Sequence, residues 1–168
     1  PSLQELSFIH SGEGRIDLEA VRRAIGQAGL SPASQRVEGH RELLDSLNQL
    51  LAGSDALLAL PDPEVFNPRT IKPILLTAIR HKKPVVGGFS AGYVKAGVLA
   101  GVYSTPTQMG HDGARTLLAM LGEDGTAIRH YPREFDVGVN RRVAEALGVT
   151  PMTESDLKQR LLAKERRP

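Results

Sequence analysis

Along the chain, apolar residues fall alternately into short unbroken runs and into stripes of helical period. The runs at 6–10, 56–60, 84–89 and 98–103 have strand length, with a weaker strand at 34–38 and an alternating one, Phe135, Val137 and Val139, near the end. Between them lie helical stripes. Asp17 can cap a helix that puts Leu18, Val21, Ile25 and Ala28 on one side, and 40–52 sets Leu43, Leu44, Leu47, Leu50 and Leu51 in a row before Gly53. Thr70 is placed to cap a helix carrying Ile71, Ile74, Leu75, Ala78 and Ile79, with Pro73 in its tolerant first turn and His81-Lys82-Lys83 at its end. A short helix is expected over 90–97.

The last third carries clearer stop and start signals. Thr105-Pro106-Thr107-Gln108 has the form of a capping box with proline at the first helical position, so a helix should run to Leu121, with Gly122 as its stop. Gly110, Gly113 and Ala114 make part of that helix narrow, which favours close approach of another element. Asn140 can cap 141–147, and Thr153 opens an amphipathic tail helix. The alternation predicts an α/β fold: a doubly wound, mostly parallel, Rossmann-like sheet with helices on both faces. Residues 1–150 would form one α/β unit, and 151–168 a C-terminal helix and tail.

Composition narrows the function. The 168 residues suit one domain with a real core, and no run approaches the roughly 18 apolar residues of a membrane-spanning helix, so a soluble chain is expected. Absence of cysteine removes thiol nucleophiles, thiolate metal sites and disulfides together. With 21 Lys and Arg against 19 Asp and Glu, no tryptophan, and part of the +2 net charge in the tail Lys164-Glu165-Arg166-Arg167, there is no nucleic-acid footprint. The five histidines make no H-x-x-x-H pair, so neither metal nor cofactor is expected. A start at Pro1 with no signal peptide reads as a chain processed or cut from something longer.

In a doubly wound sheet ligands sit beyond the carboxyl ends of the strands, so the candidate residues are those in the loops that follow them. Pro61-Asp62-Pro63 fixes an acid at the tip of a buried strand, where it can bond backbone amides or a ligand amine, or simply close the turn before Asn67. Phe66, Tyr93 and Tyr103 are expected near the same edge as cleft walls, with Ser11 and Ser104 beside them. Ser11-Gly12-Glu13-Gly14 lacks the lysine of a phosphate loop, and Glu13 would repel phosphate.

Gly88-Phe89-Ser90-Ala91-Gly92 reads as G-x-S-x-G between strand and helix, the signature of a strained nucleophile elbow, and Ser90, Asp112 and His130 follow the serine-acid-histidine order of α/β-hydrolases. Asp112, however, falls inside a predicted helix, and no HGGG-like oxyanion segment is present. The competing expectation is a glycine-rich turn in which Ser90 caps the helix and offers its hydroxyl to a ligand. A receiver-like signalling domain would need acids at the end of the first strand, where His10 and Ser11 stand instead.

The strings DALLALPDP at 55–63, KPVVG at 83–87, GYVKAGVLA at 92–100 and DVGVN at 136–140 resemble an ABC transporter substrate-binding family of the type I periplasmic architecture, over residues 6–149. The resemblance implies a two-lobed, non-enzymatic protein that clamps a small molecule, in some members an aromatic amino acid. It covers the second lobe only, without the first lobe, export signal or lipid-attachment cysteine. It implies that Asp62 and the turn after Phe89 face the ligand; together with the loop residues named above, the expected ligand-binding set is Ser11, Asp62, Phe66, Ser90, Tyr93, Tyr103 and Ser104. The 107–121 helix would pack on the first lobe or on a second copy of the chain. The implied partners are a small-molecule ligand and ABC permease and ATPase subunits, and the implied location is the periplasm.

Overall fold

The computed structural model describes residues 3–13, 16–121, 132 and 134–165. Five strands run parallel: β1 (Glu5–His10), β2 (Ser31–Arg36), β3 (Ala56–Ala59), β4 (Val85–Gly87) and β5 (Ala100–Tyr103). A sixth, β6 (Asp136–Val139), is antiparallel to β5, and the sheet order is β2-β1-β3-β4-β5-β6. The chain steps outward from β1 to β2 and then back across to β3, so strand order reverses between β1 and β3. Helices α1 (Leu18–Gln27), α2 (His40–Gly53), α3 (Ile71–Arg80) and α4 (Ala91–Ala96) connect the parallel strands. After β5 come α5 (Pro106–Leu121), then β6, α6 (Arg141–Leu147) and α7 (Glu154–Glu165).

The period-two alternation of the central strands divides the core. Ile9, Leu57 and Ala59 face α2 and α3, where Leu43, Leu47, Leu51, Ile74, Leu75 and Ala78 close over them. Phe8, Leu58 and Leu60 face α1, meeting Val21 and Ile25. Both faces of β3 are thus covered, which is why its sequence is an unbroken apolar run. Capping follows the sequence in α1, where Asp17 accepts from the Ala20 amide at 2.9 Å, in α6, where Asn140 accepts from Val143 at 3.1 Å, and in the reciprocal Thr105–Gln108 box of α5.

Several local expectations are corrected. β2 spans Ser31–Arg36 rather than 34–38, because it is an edge strand whose sequence, Ser-Pro-Ala-Ser-Gln-Arg, holds no large apolar residue, so that its backbone pairing with β1 leaves no apolar signature. β4 stops at Gly87 because Gly87 and Gly88 both adopt positive φ, +99° and +100°, and a Cβ on Gly87 would stand 2.6 Å from the Ala59 carbonyl oxygen. Thr70 does not cap α3 with its side chain: its hydroxyl donates to the Val65 carbonyl at 2.6 Å and accepts from the Asn67 amide at 3.0 Å, tying the preceding turn instead.

β6 is antiparallel because the chain returns at the end of the sheet where it left. Tyr103 pairs with Asp136, and the Ser104 hydroxyl donates to the Glu134 carbonyl at 3.0 Å. α7 then lies on β6, with Lys158 3.2 Å from Asp136 and over the Phe135 ring. α5 stands clear of the sheet: Leu118 and Leu121 are 70% and 74% exposed, and a Cβ on Gly110 or Gly113 would meet nothing within 4 Å. Gly122, expected as its stop, lies outside the described residues. No described helix is long and apolar enough to cross a membrane.

Candidate functional site

The reversal between β1 and β3 brings Ser11, which follows β1, against Asp62, which follows β3. The Ser11 amide donates to Asp62 Oδ2 at 2.8 Å, and its hydroxyl lies 3.0 Å from Oδ2 and 3.2 Å from Oδ1. The Glu64 amide donates to Oδ1 at 3.1 Å. The Asp62 carbonyl accepts from Val65 and Phe66, closing the turn that the flanking prolines prepare. Asp62 is only 1% exposed. The expectation that its carboxylate faces a ligand is therefore corrected: both oxygens are occupied from within, and Asp62 acts on the site from beneath by holding two loops together.

Above this clasp opens a cleft of 490 Å³, walled by the loops after β1, β2 and β3 and by the start of α2. Its polar groups are Ser11, Glu13, Arg36, Glu38 and Glu64, on an apolar base that includes Val65. Arg36 Nε donates to the Ser11 carbonyl at 3.2 Å, and Nη2 lies 3.7 Å from Glu38. The guanidinium passes so close to Gly12 that a Cβ there would fall 2.9 Å from Nε and displace it, and the φ of +83° at Gly12 favours glycine. One guanidinium and three carboxylates thus face one cleft.

The other expected site residues divide among three places. Phe66 is not a cleft wall: at 3% exposure it belongs to the core, and only its carbonyl reaches outward, accepting from the Tyr93 hydroxyl at 2.9 Å. Tyr93 also stands edge-on to Phe89 at 5.1 Å, and burial raises its phenol pKa. Tyr93 and Ser90 line a 170 Å³ pocket with Asn67 and Ile71. Tyr103 and Ser104 share a mainly apolar 600 Å³ cavity with Phe89, Val102, Phe135 and Leu161. All three openings lie along the carboxyl edge of the sheet.

Ser90 precedes α4 with φ −159° and ψ 161°, ordinary extended backbone rather than a strained elbow, and its side chain makes no cap bond. Of its proposed triad partners, Asp112 is buried on α5 with Arg115 at 3.8 Å, and His130 lies outside the described residues, as does Gly14 of the Ser11-Gly12-Glu13-Gly14 turn. No group of three or more metal-ligating side chains occurs among the described residues.

Sequence reasoning missed Arg36, Glu38 and Glu64. The signal lay in the register of β2: ending that strand at Arg36, opposite His10, makes Arg36 its last residue and Glu38 a loop residue, both at the cleft. His10 was also passed over. Burial, then Arg22 and then Arg36 lower its pKa below the ordinary 6.5, while Asp62 opposes them.

No family model matches the sequence, and no curated protein matches it. Solved structures match the fold. A conserved domain protein from Vibrio cholerae is 21% identical with a TM-score of 0.71, over 94% of this chain and 54% of that one. The ABC domain in complex with L-Trp from Streptococcus pneumonia is 19% identical with a TM-score of 0.69, over 93% and 53%. A ligand-free, open substrate-binding protein with adhesive properties from Clostridium difficile is 18% identical with a TM-score of 0.70, over 91% and 52%. The chain spans about half the length of these structures. Its fold matches about half of each of these structures, one of which is a substrate-binding protein.

Proposed function

We propose that this chain is the solute-binding lobe of an ABC importer's substrate-binding protein, and that it grips a small molecule at the carboxyl edge of its sheet without making or breaking bonds. The observation that carries the reading is the 490 Å³ charged cleft at the strand-order reversal, floored by the Ser11–Asp62 clasp. An α-amino acid uses both signs of charge in that cleft: Arg36 takes the carboxylate, and Glu13, Glu38 and Glu64 take the ammonium. The L-Trp complex among the matched structures supports this class of solute. Ser90, Tyr93, Tyr103 and Ser104 line the continuation of the same edge and would meet the solute's side chain.

The exposed face of α5, with Met109, Leu117, Leu118 and Leu121, fits either the complementary lobe or a second copy of this chain. In this reading the protein works outside the cytoplasm, in the periplasm, and delivers to a permease driven by an ATPase. The extended backbone at Ser90 favours binding over hydrolysis.

Thermal melting with a panel of L-amino acids at millimolar concentration tests the reading. A ligand at about 100 times its Kd stabilises by about 2.7 kcal/mol, which shifts the midpoint by several degrees. Arg36→Ala should abolish the shift while leaving the unliganded midpoint nearly unchanged. No shift with any amino acid, together with covalent labelling of Ser90 by a fluorophosphonate, would overturn it.

A further inference from the structure

His10 ends β1 and immediately precedes Ser11, yet nothing in the clasp uses its side chain. The residue is 9% exposed, and its Nδ1 is buried with no hydrogen-bond partner among the described residues. It borders a small cavity of 40 Å³ together with Gly12, Ile16, Leu18 and Asp62. The Phe8 ring lies 6.0 Å from the imidazole. The charged groups facing it come from every side: Arg22 from α1, Arg36 from the end of β2, and Asp62 from the loop after β3.

We propose that His10 is a proton-sensitive prop beneath the Ser11–Asp62 clasp, so that charging its imidazole loosens the loop after β1 and weakens the grip on a solute. While the ring is neutral it makes no demand on Asp62, whose oxygens serve Ser11 and Glu64. When the ring takes one proton from water, both ring nitrogens become donors and the new cation shares a cavity with the Asp62 carboxylate. It then competes with the Ser11 amide and hydroxyl for that carboxylate. Arg22 and Arg36 repel it at the same time, and Arg36 is itself bonded to the Ser11 carbonyl. Both ends of Ser11 therefore feel the charge. Burial and the two guanidiniums hold the ring neutral near pH 7, so the switch operates on the acid side of His10's ordinary 6.5.

The consequence for binding rests on the proposed solute site, but the test requires no solute, so each can fail without the other. The His10 ring shifts and the exchange protection of the Ser11 amide, corrected for intrinsic rate, are followed by NMR from about pH 8 to about pH 5, the range in which histidine titrates. Protection at Ser11 should fall about tenfold for each unit by which charging disfavours the clasp. Its midpoint should coincide with that of the ring, while α2 amides keep their protection. His10→Gln, which cannot take up a proton in this range, should flatten the profile. The proposal is overturned by Ser11 protection that ignores the ring titration, by an equal fall in the glutamine variant, or by simultaneous loss in α2, which means global unfolding. Should His10→Gln fail to fold, coincidence of the two midpoints in the native chain decides alone.

Discussion

Two aspartates flank β3 and bind the two ends of the same neighbour. Asp55, just before the strand, accepts the amides of Gln4 and Glu5 at 2.9 and 3.0 Å, where β1 begins. Asp62, just after it, accepts the amide and hydroxyl of Ser11, where β1 has ended. The bonds are of one kind, but their surroundings differ. Asp55 sits at the wet amino edge, where water can replace either partner. Asp62 lies buried beneath the cleft, where water has little access to take the place of a lost partner. Identical donor-acceptor chemistry therefore gives an adjustable staple at one end and a rigid floor at the other, and it is the rigid end that carries the cleft.

The largest effect should come from removing the buried acid. Asp62→Ala leaves the Ser11 amide and the Glu64 amide without their acceptor, and the Ser11 hydroxyl as well. At roughly 1–3 kcal/mol for each stranded buried group, a loss of about 4 kcal/mol is expected, read as a lower urea midpoint with unchanged slope. A loss no greater than that of an exposed substitution would erase the contrast between the two aspartates. Ser11→Ala is gentler, because the amide bond to Oδ2 survives and only the hydroxyl's share goes. About 1.5 kcal/mol is expected, and the double variant with Asp62→Ala should cost less than the two single losses together, since both cut the same contact.

The contrast also marks what could be read from the chain beforehand. The Pro61-Asp62-Pro63 string pointed to a fixed acid because proline chemistry is local, and local rules survive folding. That both carboxylate oxygens would be taken by Ser11 depended on β1 and β3 being neighbours, a fact of sheet order that no window of sequence contains. Phe66 shows the same limit from the other side: nothing in its flanks separates a core ring from a cleft wall, and packing against Val65 and the α3 face decides it. β2 lacked an apolar pattern, so its start was misplaced by three residues, and Arg36 was placed in mid-strand rather than at the strand's end beside the cleft. The capping box of α5 was plain in sequence, whereas its separation from the sheet was not, since an amphipathic stripe announces a partner without saying which.

The smallest effect belongs to Asp55, and pH is the way to isolate it. The amides of Glu5 and then Gln4 hold its carboxyl below the ordinary 3.8, with Lys83 adding to them and burial opposing. A carboxyl depressed on folding contributes stability that is fully present above 3.8 and is lost as pH falls through its folded value. His10 is depressed as well, but as a base: its contribution, present above 6.5, is lost as pH falls below that value toward its folded one. The two arms thus occupy separate windows of one acid titration. Asp55→Asn should lower the urea midpoint less than either Ser11→Ala or Asp62→Ala at neutral pH, and should flatten only the arm below 3.8. If it flattened the arm near 6.5 instead, the amino-edge staple would be coupled to the carboxyl-edge clasp through β1. The two ends of the strand would then act as one cooperative unit rather than as the independent pair their surroundings imply.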